Sequence, residues 1–284
     1  MKVSISGLAL WGRGLTSYQD LVQATQAGAL PADAEFVTPK PEEIPARERR
    51  RAGLMINLAT ALAHQACEHA GVDKSLVPSV FVSCMGDTDI TDYMCRKLTQ
   101  PEKLLSPTKF HNSVHNAASG YWTISAENHA PSTFVGGFDH SVGAGMLEAI
   151  SQVHAANQAV LLVAYDIANR PPFSALCPVE ESFGAALVFT PEHWPAADAQ
   201  LSLQLDVELD GLPVPRSGAS ADSNHGNVAS ADLERLMKAN PSASCLPLME
   251  QLVRVQEGLA ARAEVRVRAA PQLDLIVNIS QTSR

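Results

Sequence analysis

The chain has 284 residues, 46% of them hydrophobic and 18% charged, which excludes disorder over most of its length and supplies a sizeable core. Lys and Arg total 21 against 30 Asp and Glu, for a net charge of −9. That balance excludes nucleic acid or an anionic membrane as the main partner, because both need a basic face.

Alternation of apolar and polar residues over 2–10 predicts a first strand. This segment lacks the apolar core and cleavage site of a signal peptide. Residues 31–51, rich in proline and charge, predict an exposed connection. Leu54, Ile56, Leu58, Leu62 and Ala66 form an apolar stripe that predicts a helix over 52–70. The run SVFVSC predicts a buried strand over 79–84, and 87–98 a helix. A helix is expected just after Asn116, a strand at 132–137, a helix at 141–157 and a strand at 159–165. Pro171, Pro172 and Pro178 mark a loop before a strand at 183–189. This order implies helices packed on a mostly buried sheet.

The character changes after Pro191. Residues 192–200 read as a linker, 201–209 as a strand with one polar face, and 211–230 as a surface loop. Residues 233–263 read as largely helical, broken at Pro241 and Pro247, before strands at 265–267 and 273–279. Residues 1–192 are thus expected to form one half, and 193–284 a smaller β–α–β–β half packed with it as one domain. No apolar run reaches the roughly 20 residues of a bilayer span.

Cys67, Cys84, Cys95, Cys177 and Cys245 form no CxxC pair. They read as small buried hydrophobes in a reducing cytoplasm, with no metal site expected. Cys84, at a strand end, is either a displaced nucleophile or a free buried thiol, and the second is favoured. The Gly136-Gly137 pair and the Gly143-x-Gly145 spacing miss the phosphate-binding fingerprint, so no nucleotide cofactor is expected.

The most informative stretch is 106–164. Ser106-Pro107 is followed by Asn116, Ala118 and Gly120, then a helix, then Ala130-Pro131-Ser132 and a strand leading into a helix. This ordered series resembles the β-ketoacyl synthases of fatty-acid and polyketide assembly. SFGAALVFTPE at 182–192 resembles the strand that closes that family's first half. EEIPARERRR before the first long helix resembles short, chain-length-factor-like members of aryl polyene pathways. The resemblance implies an α/β, thiolase-like layered α/β/α fold with a truncated second half.

In active members the strand ends in a cysteine at a helix N-terminus. The helix dipole favours the thiolate there, and backbone N–H groups hold the oxyanion of acyl transfer. Ungapped alignment from Pro131-Ser132 puts Asp139 at that position, followed by His140 and Ser141. A carboxylate is a poor acyl acceptor from a thioester, because the anhydride it would form is the more activated species. The family's second-half histidine pair is also missing; His225 in SNHGN is a partial echo. Asp139 reads either as a charge in a vestigial site or as an N-cap for the following helix, and the N-cap is favoured. Adjacent Asp139, His140 and Ser141 do not make a hydrolase triad, whose groups converge from separate elements.

The resemblance implies further that the segment after Ser-Pro faces a partner subunit and lines its acyl tunnel. Here that segment holds Thr108, Lys109, Phe110, His111, Asn112, His115 and Asn116. Phe110 would limit acyl length. His111 and His115 share a face if the stretch is helical, serving as a polar tunnel end or, as favoured, in interface hydrogen bonds. Arg47, Arg49, Arg50 and Arg51 either meet an acidic carrier protein or partner subunit, or form a solvated helix start. Tyr121 and Trp122 are expected in the core or at a subunit interface.

The expectation is a cytoplasmic, non-catalytic, chain-length-factor-like subunit in a heterodimer with an active β-ketoacyl synthase. It holds no cofactor itself; phosphopantetheine arrives on an acyl carrier protein. The rivals are a stand-alone acyl-thioester hydrolase, decarboxylase or transferase using Asp139 or His140, and a homodimeric acyl-binding scaffold.

Overall fold

A computed structural model describes residues 1–194, 201–211, 228 and 230–282. The predicted linker at 192–200 and loop at 211–230 fall mostly outside these residues.

Strand β1 (Lys2–Trp11) is followed by helices α1 (Tyr18–Ala27), α2 (Ala46–Arg49) and α3 (Leu54–Ala70). Then come β2 (Ser79–Val82), α4 (Thr88–Leu98), α5 (Pro107–His111), α6 (Ala117–Ser125) and β3 (Ser132–Val135). Helix α7 (Ser141–Ala156), β4 (Val160–Asp166) and β5 (Phe183–Thr190) complete the first part. The rest supplies β6 (Leu203–Gly211), α8 (Ala231–Ala239), a 3-10 helix (Pro241–Cys245), α9 (Leu246–Gln256), β7 (Arg262–Ala270) and β8 (Leu273–Gln281).

All eight strands form one sheet in the order β3-β2-β4-β5-β1-β6-β8-β7. β2 is parallel to β3 and β4, whereas β5 runs antiparallel to β4 and β1. β1, β2, β4 and β5 are buried on both faces, their side chains sorting with the period of two that the pleat imposes, while the edge strand β3 is only half-buried. Val160, Leu162 and Ala164 of β4 face one core, and Leu161, Val163 and Tyr165 the other. The second core holds α3 and α6, with Trp122 fully buried. The first core holds α7 and α9.

The sheet continues through a short antiparallel pairing of Lys2–Ile5 with Leu203–Asp206. Leu203, Leu205, Val265, Val267, Leu275 and Val277 turn into the core that holds α7. The opposite face of β6, β8 and β7 is polar, with Arg266 paired to Asp210 at 2.9 Å and Arg268 paired to Asp274. This half-solvated antiparallel end is all that the second half adds to the sheet among the described residues, in keeping with a truncated thiolase-like layout.

Several local expectations are corrected. Helix α1 was not anticipated, although Ser17 caps it by accepting the Asp20 N–H at 3.2 Å and Gly28 ends it in the left-handed region. Pro247 does not break a helix: it sits in the first turn of α9, where its missing N–H costs nothing. The helical reading of 233–263 runs too far, because α9 stops at Gln256 and β7 begins at Arg262. Cys95 is exposed on α4, unlike the other four cysteines, which are buried.

Candidate functional site

The site lies where β3 hands over to α7. Gly136 and Gly137 lead into a 3-10 turn over Phe138–His140, and α7 starts at Ser141. Phe138 takes φ +50, a left-handed conformation unusual for an aromatic residue, and its ring is 63% exposed. Ser141 fixes the turn: its hydroxyl donates to the Phe138 carbonyl at 2.7 Å and accepts the Gly137 N–H at 2.8 Å. Two glycines let α7 approach closely on both sides. A Cβ at Gly143 would fall 2.2 Å from the Arg268 carbonyl of β7, and one at Gly145 would fall 2.3 Å from Val82 Cγ2 of β2. The Gly143-x-Gly145 spacing is therefore a packing feature.

Asp139 stands in this elbow with an exposed side chain. The N-cap expected of it is not made: the capping position is His140, and no side chain caps α7. The 3-10 turn accounts for this, since Ser141 rather than Asp139 closes the elbow. No Ser-His-Asp relay forms either, because the Ser141 hydroxyl is spent on Phe138 and His140 Nδ1 is buried without a hydrogen-bond partner.

Asp139 instead faces two thiols. The carboxylate and the sulfurs of Cys84 and Cys177 lie within 4.8 Å of one another, and the sulfurs are 3.0 Å apart. Cys84 follows β2, and Cys177 lies in the loop after β4. Burial pushes the Cys84 thiol up strongly, and the Cys177 contact and the Asp166 and Asp139 charges push it further. Burial raises the Cys177 thiol as well. Neither sulfur is poised as a nucleophilic thiolate.

Asp166, fully buried at the end of β4, organises this corner. It accepts the Ser83 hydroxyl at 2.7 Å, the Cys84 N–H at 2.9 Å and the Ser242 hydroxyl at 2.6 Å. Asn240 adds a bond to the Asp166 carbonyl at 2.9 Å. Sequence reasoning missed both Asp166 and the convergence of Cys84, Cys177 and Asp139. The strand-end position of Cys84 was the one available signal, as three remote segments carry the rest.

The segment expected to face a partner is helical only over Pro107–His111. α5 ends at His111, so His111 and His115 do not share a helical face. His111 meets the Tyr121 ring edge-on, and His115 lies against Phe134. Thr108 and Lys109 are in α5, with the Lys109 ammonium 4.0 Å over the Tyr93 ring. Phe110 is 61% exposed. Asn112 is buried, donates to the Arg51 carbonyl at 2.9 Å and accepts from the Tyr121 hydroxyl at 3.3 Å. Asn116 precedes α6 and accepts the Gly120 N–H at 3.0 Å through its carbonyl. A small solvent-connected cleft of about 30 Å³ is lined by Met85, Asp87, Asn112, His115 and Tyr165 among others.

Arg47, Arg49, Arg50 and Arg51 are exposed on and after α2. Arg49 donates to the carbonyls of Glu42 and Ile44, Arg50 to that of Ala46, and Arg51 pairs with Glu48 at 3.8 Å. The Asn112 bond to Arg51 brings this cluster beside the 108–116 segment.

The strand order β3-β2-β4-β5-β1, with β5 reversed, and the strand-to-helix elbow define a thiolase-like protein of the ketosynthase type. The chain belongs to the β-ketoacyl synthase N-terminal domain family, whose model matches residues 22–245. No curated protein matches the chain. Among solved structures it is similar to a ketosynthase (ApeO) in complex with its chain length factor (ApeC) from Xenorhabdus doucetiae. That match is 19% identical, covers 99% of this chain and 100% of the other, and has a TM-score of 0.62. The ishigamide ketosynthase/chain length factor is 14% identical over 99% of each chain, at a TM-score of 0.65. A β-ketoacyl synthase from Burkholderia phymatum STM815 is 10% identical over all of both chains, at 0.69. At these identities the likeness is one of fold. Among the described residues, no helix is long and apolar enough to cross a membrane.

Proposed function

We propose that the chain is a non-catalytic, chain-length-factor-like subunit that pairs with an active β-ketoacyl-acyl carrier protein synthase. The observation that carries this reading is Asp139 in the elbow where the family places its nucleophilic thiol. A carboxylate there does not accept an acyl group from a thioester, and burial and nearby carboxylates hold the adjacent thiols protonated. No histidine beyond His193 other than His225 is available to stabilise an enolate. Leu104, Phe110 and Val114, 68%, 61% and 53% exposed, give the single chain an apolar stretch suited to a partner surface.

In this reading the partner's cysteine condenses acyl groups delivered on carrier-protein phosphopantetheine, in a cytoplasmic aryl polyene or polyketide-type lipid pathway. The work of this chain is steric: Phe110 closes the partner's acyl tunnel, Asn112 holds its segment in place, and the nearby arginines meet acidic surface on the partner or carrier. The test is co-expression with a candidate ketosynthase, followed by size exclusion with light scattering and a condensation assay on each protein alone and on the pair. A one-to-one complex that condenses only when paired supports the reading. Two proteins that stay apart, or a homodimer of this chain alone, overturn it.

A further inference from the structure

The subunit reading uses Asp139 and its neighbouring thiols only as the sign of a lost nucleophile and gives the cluster they form no work of its own. Two thiols and a carboxylate converge from three separate parts of the chain: the end of β2, the loop after β4 and the turn before α7. Asp166, a buried carboxylate, reaches the same corner through the Cys84 N–H, whereas Asp139 is exposed. Among the described residues, neither Asp139 nor Asp166 makes an ion pair with Lys, Arg or His. Two buried thiols and one exposed carboxylate thus present a sulfur and oxygen donor set that opens to solvent on the Asp139 side.

We propose that Cys84, Cys177 and Asp139 form a three-ligand site for a soft divalent cation, with zinc as the chemical type and water in the fourth position. Two thiolates and one carboxylate suit zinc, which takes sulfur at about 2.3 Å and carboxylate oxygen at about 2.0–2.2 Å in tetrahedral array. Two thiolates on one tetrahedral zinc stand about 3.8 Å apart by that geometry. The sulfurs at 3.0 Å therefore part by about 0.8 Å on loading, and Cys177 sits in a loop that can supply the movement. Asp139 is the exposed member and opens the site to solvent. Binding displaces one proton from each thiol to solvent, so the cation with three anionic ligands carries a net charge of −1. Asp166 is the positioning residue, since its bond to the Cys84 N–H fixes that ligand's backbone. The proposal stands whether or not the chain pairs with a ketosynthase.

The test uses the full chain, reduced and stripped of metal, titrated with cobalt(II) as a spectroscopic probe. One equivalent is expected to give thiolate-to-cobalt charge-transfer absorption in the near ultraviolet and the visible bands of a four-coordinate ion, both erased by zinc. Asp139→Asn should keep the thiolate bands and weaken affinity about tenfold or more. Cys177→Ser should remove most of the charge-transfer absorption, and Cys95→Ser should leave it unchanged. If Cys177→Ser does not fold, alkylation of the unaltered chain replaces it: zinc should slow labelling of Cys84 and Cys177 and leave Cys95 alone. Absence of the charge-transfer band, its survival in Cys177→Ser, or labelling indifferent to zinc would overturn the proposal. So would recovery of Cys84 and Cys177 as a disulfide from chain prepared under reductant, because no thiolate ligands would then remain.

Discussion

Asp166 accepts the backbone N–H of Cys84 at 2.9 Å and the hydroxyl of Ser242 at 2.6 Å, so one buried carboxylate ties the end of β2 to the 3-10 helix of the second half. Burial pushes this carboxyl up to about 6, although its hydrogen bonds from Ser242, Ser83 and Cys84 favour the charged form. The folded chain therefore keeps a proton that the unfolded chain releases near pH 4. This contribution to stability is complete below about pH 4 and is lost as the pH rises through about 6. Unfolding of the native chain and of Asp166→Asn, measured across that window, should show the native chain losing ground as pH rises. A difference that is flat with pH contradicts the assignment.

His64 behaves in the opposite sense. Burial, then the Lys74 charge, lowers its pKa to about 4, and its ring bonds Ser125 at 3.0 Å and lies edge-on to Trp122. A depressed histidine contributes stability that is present above about pH 6.5 and is lost as pH falls toward 4. An NMR titration should find the His64 imidazole still neutral at about pH 5.5, whereas a midpoint near the ordinary histidine value of about 6.5 would contradict its packing.

Helices α7 and α6 set up a contrast between glycines. Gly143→Ala drives a methyl group to 2.2 Å from a β7 carbonyl, where only backbone movement relieves the clash. It should cost about 3 kcal/mol or more, at the upper end of overpacking effects. Gly120 in α6 has open space around its missing side chain, so Gly120→Ala should stabilise the isolated chain by about 0.5–1 kcal/mol. Denaturant titrations check both, and equal effects would contradict the packing of α7 against β7.

Exposed side chains should matter for pairing rather than folding. Val114 is 53% exposed. Val114→Asp should leave the stability of the single chain within about 0.5 kcal/mol. In the proposed complex with a ketosynthase it should weaken assembly tenfold or more, read by light scattering at a series of concentrations. Assembly unchanged by this charge would place the partner surface elsewhere.

The central strands of the first half were legible because buried strands are short, nearly continuous apolar runs, as in Val80–Val82 and Val160–Val163. Asp139 was legible in position, since an ungapped count from Pro131 reaches the elbow. Its surroundings were not. Which groups face it depends on where the loop carrying Cys177 folds back, and no local pattern encodes that. The capping role given to Asp139 failed because a 3-10 turn with Phe138 at positive φ hands the closing bonds to Ser141. The helix on which His111 and His115 would share a face does not reach both, as the short α5 stops at His111. Helix α1 was missed although its cap and terminating glycine were in plain view, because its polar first turn hides the apolar stripe of Leu21, Val22 and Ala24.

The most direct test of the proposed non-catalytic role is intact-mass spectrometry of this chain together with a candidate ketosynthase after brief exposure to an acyl-loaded carrier protein. The acyl mass is expected on the ketosynthase partner alone, with this chain unmodified and no thioester turnover when it is incubated by itself. An acyl adduct on this chain, or turnover by the chain alone, would show that the elbow still does chemistry and would contradict the non-catalytic assignment.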